Sequence, residues 1–133
     1  MTAPGQFPDA EALMIALADP FGYPCTVLPE TADGELDTSK FPIIWISRNG
    51  GSCDGITDRP IVQVGVMADT RAESWQVAGQ LRDAVLASPG TSPGGRGLID
   101  DAREITGVTE IPDFDPQNRL VQATYLIACR RRR

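Results

Sequence analysis

The sequence predicts an α/β (α+β) fold, in which a small mixed, largely antiparallel sheet of four or five strands carries two helices on one face. Three observations support this prediction. A β-branched segment at 59–68 runs almost directly into an amphipathic segment at 70–88, a second amphipathic segment lies at 7–18, and strand-like apolar segments lie at 41–47 and 120–129. Two helices most economically cover one face of such a sheet. The predicted element order is α-β-β-β-α-β-β.

The strand and helix at 59–88 are the clearest elements. Valines alternate along the strand at 62–66, and β-branched side chains suit a pleated surface. Thr70 and Glu73 have the spacing of a capping box, in which the hydroxyl accepts from the backbone N–H three residues later. An apolar stripe then recurs at helical spacing: Val77, Ala78, Leu81, Ala84 and Val85. The Pro-Gly pair at 89–90 predicts the end of the helix.

Upstream of this unit, the sequence predicts a helix at Phe7–Ala18, a short strand at Cys25–Leu28 and a further strand at 41–47. The segment 41–47 is apolar on both faces, as central strands are. Trp45 within it needs a partner for its indole N–H. The loop at 29–40 is rich in acidic residues, and we expect it to be exposed.

The glycine-rich connection at 48–58 predicts a hairpin. Its Asn49-Gly50 pair suits a type I′ turn, which would make 41–47 and 59–68 antiparallel neighbours. A phosphate-binding loop is disfavoured, because the glycines match none of the usual motifs and a strand follows them instead of a helix.

Downstream of the long helix, the sequence predicts a surface loop at 89–97 and two more strands. The segment 98–106 alternates imperfectly and carries charges, which is typical of an edge strand. A loop is predicted at 107–118, and the last strand at 120–129.

Composition indicates one domain over residues 1–133, with a flexible basic tail at 130–133. The 133 residues are 41% hydrophobic and 23% charged, as in a globular protein. The net charge is −6, and without the four terminal arginines 8 basic residues remain against 18 acidic ones. Such an acidic body repels duplex DNA. The tail could bind a phosphate backbone or an acidic partner, or it could be a solvated chain end that binds nothing.

The sequence shows no membrane or export signal. No apolar run approaches the ~20 residues that a membrane span needs. The segment MTAPGQFPDAE lacks the basic and apolar regions of a signal peptide. We therefore expect synthesis in the cytoplasm and no association with a membrane.

The residue types that catalysis and metal binding require are scarce. The chain has no histidine to activate a serine or cysteine nucleophile. Cys25, Cys53 and Cys129 are dispersed and lack the spacing of a zinc site. The acids of loop 29–40 alternate as in a calcium loop but lack its twelfth-position glutamate, and those at 113–115 have no third ligand nearby. We expect no enzyme activity, metal or cofactor.

Four segments resemble the tail terminator proteins of long-tailed bacteriophages, especially those of actinobacterial phages. They are FPDAEALMIALA, FPIIWISRNGG, TDRPIVQVGVMADTRAESWQVAGQLRDAVL and IPDFDPQNRLVQATYLIACR, which cover most of the chain in order. The D-R-P strand followed by the T-R-A-E helix, and the I-P-D to Y-L segment, carry most of the resemblance. The loop at 89–97 and the four terminal arginines are less typical of the family.

The resemblance implies a structural function. Proteins of this family form a ring, usually of six subunits, at the head-proximal end of the tail, where they stop tube polymerisation and present the surface that joins the head connector. It also implies a small α/β sheet with helices on one side and no catalytic residues. The expected partners are further copies of the chain in a hexamer, the tail tube protein and the head–tail connector protein. The expected location is the virion, at the head–tail junction, after assembly in the host bacterial cytoplasm.

We expect the ring contacts to use a sheet edge and the loops at 29–40 and 48–58. The candidate interface residues are Trp45, Arg48, Asp58, Arg59, Arg130 and Arg131. Because DNA must pass through the ring without specific binding, the lumen should be neutral or acidic. Two alternatives stay open: another neck component, such as a head-closure or adaptor protein, and a monomeric cytoplasmic binding module.

Overall fold

The protein is described over residues 6–131 by a computed structural model. Its helices and strands are α1 (Ala10–Ala18), β1 (Tyr23–Cys25), β2 (Ile43–Cys53), β3 (Thr57–Met67), α2 (Arg71–Leu86), β4 (Ile99–Glu110) and β5 (Leu120–Arg130). Three short 3-10 turns lie at Asp19–Phe21, Thr38–Lys40 and Pro93–Gly95. The predicted α+β class and the predicted element order are confirmed.

The five strands form one mixed sheet in the order β1-β2-β3-β5-β4. Only β1 and β2 pair in parallel, and the other pairs are antiparallel. The predicted antiparallel pairing of β2 with β3 is confirmed, with Ile46 opposite Val64. The segment expected to be an edge strand is β4, which lies at one edge of the sheet, while β1 lies at the other.

The apolar core lies between the two helices and one face of the sheet. Val62 and Val64 of β3 are 0% and 2% exposed, so the predicted valine face is the buried one. Tyr125 of β5 lies in the same core, and Leu13 and Leu81 reach it from α1 and α2. Burying one such side chain fully stabilises the fold by about 1.5–3 kcal/mol.

Side-chain caps fix where the two helices begin. The Thr70 hydroxyl accepts from the backbone N–H of Glu73 at 3.1 Å, as the capping box predicts. The Asp9 carboxylate accepts from the backbone N–H groups of Glu11 and Ala12 at 2.9 and 3.3 Å. Because Asp9 is the N-cap, α1 begins at Ala10, three residues later than the predicted helix at Phe7–Ala18.

The hairpin between β2 and β3 differs from its prediction. The strand predicted at 41–47 continues to Cys53, and the predicted turn at Asn49-Gly50 is wrong. A bulge lies between Arg48 and Gly51 instead, and Gly51, which pairs with Pro60 directly after it, has a φ of 114°. A Cβ on Gly51 would collide with the backbone of β3. The turn lies beyond it, where the Asp54 carboxylate accepts from the backbone N–H groups of Ile56 and Thr57 at 2.9 and 2.8 Å.

Other element boundaries also differ from the predictions. The strand predicted at Cys25–Leu28 lies at Tyr23–Cys25 instead; beyond it, the Thr26 carbonyl accepts from a tryptophan side chain and Val27 is 78% exposed. The strand predicted at 98–106 continues to Glu110, because three register shifts along β4 accommodate its imperfect alternation. Arg130, the first residue of the predicted flexible tail, is the last residue of β5 and pairs with Thr57 of β3. Arg132 and Arg133, from the same predicted tail, lie outside the described residues.

Candidate interaction surfaces

The sheet face opposite the helices is the open face, defined by Trp45, Ser47, Ile61, Gln63, Gln122, Thr124 and Leu126. Its centre is a chain of side-chain amides. Asn49 donates to the Gln63 side-chain oxygen at 2.5 Å, and Gln63 donates to Gln122 at 2.8 Å. The apolar Ile61 and Leu126 beside this chain are half-buried. The open face therefore offers both apolar area and polar groups whose hydrogen bonds are partly satisfied within the subunit.

One end of this sheet surface is covered by loops instead of helices. Ile43, Met67 and Leu120 align across three strands there and are at most 2% exposed, although they lie outside the main core. The loop at 111–119 lies at this end and is held by its own ion pair. Asp115 and Arg119 form two parallel hydrogen bonds of 2.8 Å, and the Arg119 backbone N–H adds a third of 3.0 Å.

The Asp115–Arg119 pair is electrostatically self-contained. Hydrogen bonds from Arg119 lower the pKa of the Asp115 carboxyl, and Asp115 in turn raises the pKa of the guanidinium. The side chains are only 7% and 16% exposed. The guanidinium also lies 5.1 Å from the centre of the Phe41 ring. The positive charge of Arg119 is therefore balanced by contacts within the subunit.

A cavity of about 530 Å³ opens beside this pair, and we call it the acidic cavity. Its lining combines apolar side chains, the ion pair and two glutamates: Leu28, Glu30, Glu35, Leu36, Thr38, Met67, Phe114, Asp115, Pro116 and Arg119. Phe114 is 48% exposed. Backbone bonds order the loop that carries the glutamates, including Thr31 N–H to Glu35 carbonyl at 2.7 Å. Within residues 6–131, neither Glu30 nor Glu35 has an ion-pair partner.

The opposite end of the sheet, which we call the hairpin end, comprises the turn at 54–56, the end of β5 and the start of β4. Arginines and aspartates are matched there. Arg48 pairs with the buried Asp58 at 3.2 Å, and Arg59 pairs with Asp54 at 3.2 Å. Backbone N–H groups of the turn, then Arg59, lower the pKa of Asp54 to about 2. The turn is therefore held by an ionised carboxylate at neutral pH.

The end of β5 completes the hairpin end. Arg130 forms two hydrogen bonds of 2.9 Å with Asp100. Arg131 donates to the Gly55 carbonyl at 3.2 Å, and its guanidinium lies 4.3 Å from the centre of the Phe7 ring. Arg131 is therefore fixed against the turn at 54–56.

The structure brings five of the six predicted interface residues together. Arg48, Asp58, Arg59, Arg130 and Arg131 lie at the hairpin end, and Asp58 is only 4% exposed. The sixth, Trp45, lies on the open face. Its indole N–H donates to the Thr26 carbonyl at 3.2 Å, which supplies the partner that the sequence required, and its ring lies 6.1 Å from that of Phe114.

Sequence reasoning missed the residues that shape the acidic cavity. The sequence indicates only possible metal ligands in the acids at 113–115, whereas in the structure Asp115 binds Arg119. The only signal was the Asp-x-x-x-Arg spacing, which is informative on a helix but not in a proline-containing loop. The predicted exposed acidic loop at 29–40 supplies the two glutamates.

The described residues offer little reactive chemistry. No group of three or more potential metal ligands occurs within residues 6–131. Burial, followed by the nearby Asp58 and Asp100, raises the pKa of the Cys129 thiol to about 11. Over the same residues, no helix is long and apolar enough to span a membrane.

Of the comparisons with known proteins, the match to a family model agrees with the resemblance seen in the sequence. No curated protein matches the chain. A chain in the solved structure "Virion of native gene transfer agent (GTA) particle" is 15% identical with a TM-score of 0.48, and the match covers 92% of this chain and 86% of that one. A family model described as "Phage tail termination protein" matches residues 6–133. Since that match spans nearly the whole sequence, the chain belongs to the phage tail termination protein family and is a structural protein of the phage tail.

Proposed function

We propose that six copies of this chain, each acting as one domain, form a closed ring that caps the head-proximal end of the tail tube. The ring ends tube polymerisation and joins the tail to the head connector protein. Membership of the tail termination family over residues 6–133 is the observation that carries this proposal. That family is structural and not enzymatic. The ring would sit at the head–tail junction of the virion after assembly in the host cytoplasm.

The subunit offers surfaces suited to self-association. Two sheet edges, β1 and β4, each have one side without a pairing strand among residues 6–131. The open face leaves Ile61 and Leu126 half-buried. In a closed ring, one surface of each subunit contacts a different surface of the next subunit. Sheet edges and loops at opposite ends of the sheet provide such a pair of surfaces. This geometry supports ring contacts through a sheet edge and the loops at 29–40 and 48–58.

The charge distribution supports passage of DNA without binding. Tight phosphate binding requires cations that can displace counterions from the backbone. Four body arginines that could line a lumen each lie beside an acid: Arg48 beside Asp58, Arg59 beside Asp54, Arg71 beside Glu110 and Arg82 beside Glu104. Their positive charge is thereby offset locally. A ring of such subunits would present a neutral or acidic lumen to DNA.

Polymerisation of the cognate tail tube protein tests the capping function. Tubes would be grown with and without the purified protein, and their lengths measured by electron microscopy. We expect added protein to shorten the tubes and to appear as extra density at one end only. Tube lengths that do not change with protein concentration would contradict capping. Binding to the connector protein but never to tube ends would instead favour a head-closure or adaptor protein.

A further inference from the structure

The acidic cavity has the chemistry of a site for a cation on an apolar stem. Leu28, Leu36 and Met67 provide apolar lining, and Glu30 and Glu35 carry the uncompensated charge. The other charged pair in the lining neutralises itself, as shown by its three hydrogen bonds. The volume of about 530 Å³ is within the usual range of ligand pockets.

Arginine matches this lining better than a simple ion does. Its three methylene groups can contact apolar walls while the guanidinium remains at a charged rim. The planar fork forms paired hydrogen bonds with carboxylates and stacks on aromatic rings. The half-exposed ring of Phe114, in the cavity lining, offers such a stacking surface.

The chain itself carries a segment of this chemistry in Arg132 and Arg133. These residues directly follow Arg131, which is fixed at the hairpin end. The acidic cavity lies at the other end of β5, beside Arg119. Eleven residues of extended strand separate the two ends by roughly 35 Å, whereas two residues reach only about 7 Å. The arginines cannot reach the cavity of their own subunit.

We propose that the acidic cavity of one copy binds Arg132 and Arg133 of a neighbouring copy. The contact joins the hairpin end of one subunit to the loop end of the next, so it is heterologous and can close a ring. The complementary charges of the two surfaces favour this orientation over cavity-to-cavity or tail-to-tail contacts. This inference rests on the proposed ring for the identity of the neighbour.

Charge reversal tests the contact in the full-length protein. We expect E30K/E35K and R132E/R133E each to weaken self-association by about tenfold or more, measured by sedimentation equilibrium at low salt, because attraction is replaced by repulsion. Combining all four substitutions should restore much of the lost affinity. The wild-type affinity should also fall as salt is added.

Matched controls separate this contact from general charge effects. D33K/D83K makes the same change of charge as E30K/E35K at exposed acids outside the cavity lining, and R96E reverses one exposed arginine elsewhere, which is half the charge change of R132E/R133E. Both controls should assemble as the wild type does. Unchanged assembly of R132E/R133E, or equal losses in the controls, would overturn the inference while leaving the ring intact.

A peptide experiment keeps the two proposals distinguishable. A labelled peptide with the sequence of residues 128–133 should bind the wild-type protein and lose about tenfold in affinity for E30K/E35K. The expected result supports the cavity contact even if the purified chain proves monomeric, in which case the ring proposal alone fails. A peptide that does not bind, or that binds both proteins equally, would overturn the cavity contact.

Discussion

The two faces of the sheet are built differently, although the same strands form both. On the covered face, Ile46, Val62 and Tyr125 are at most 1% exposed beneath the helices. On the open face, the half-buried Ile61 lies beside the side-chain amides that link Gln63 to its neighbours. Folding the single subunit therefore depends mainly on the covered face. The open face is free to satisfy the requirements of assembly.

Cysteine reactivity should show the largest difference between buried and exposed positions. Cys129 is fully buried against the covered face and its thiol has a raised pKa of about 11, whereas Cys53 is exposed near the hairpin turn. A pulse of alkylating reagent should modify Cys53 at least about a hundredfold faster at pH 8, since little Cys129 thiolate forms. Peptide mass spectrometry measures both rates. Equal rates in the folded protein would mean that the covered face opens readily.

Matched isoleucine truncations should separate the faces energetically. We expect Ile46→Ala to lower the free energy of unfolding by about 2–5 kcal/mol, because it leaves a cavity in a packed core. Ile61→Ala should cost the isolated subunit about 1 kcal/mol or less, since its side chain already contacts solvent. Urea denaturation at low protein concentration measures both values. Equal losses would show that the open face contributes as much to folding as the covered one.

The loop-covered end should show an intermediate effect. Asp115→Asn removes the charge that Arg119 binds, and we expect a loss of about 1–3 kcal/mol in unfolding free energy. Asp113→Asn in the same loop is the control, because the Asp113 side chain has no ion pair among the described residues. Thermal denaturation of the two variants compares them. Similar behaviour of both would show that the ion pair does not hold the loop.

The same ion pair predicts a smaller effect of acid. Arg119 lowers the pKa of Asp115 in the folded state. The ion pair therefore stabilises the fold fully at pH values above the ordinary carboxyl pKa, which is near 4. It is lost as the pH falls below that value toward the folded-state pKa. The difference in melting temperature between wild type and Asp115→Asn should therefore narrow between pH 5 and pH 2. A constant difference over this range would contradict the assignment.

The covered face was predictable from the sequence, whereas the surfaces around it were not. Valine alternation and the Thr70–Glu73 spacing are local signals, and they located β3 and the start of α2 closely. Gly50 and Gly51 suit a turn and a bulge equally well, and only the pairing of β2 with β3 decides between them. The acidic cavity depends on loops far apart in sequence, so no local pattern could reveal it. Membership of the family was predictable because the resembling segments cover most of the chain.

The mass of the purified protein in solution tests the central claim most directly. Sedimentation equilibrium at high protein concentration and low salt would give the mass of the assembled species. The proposal predicts a closed oligomer of six 14.3 kDa subunits, with no further growth as the concentration rises. A chain that remains a monomer across the whole concentration range would contradict it.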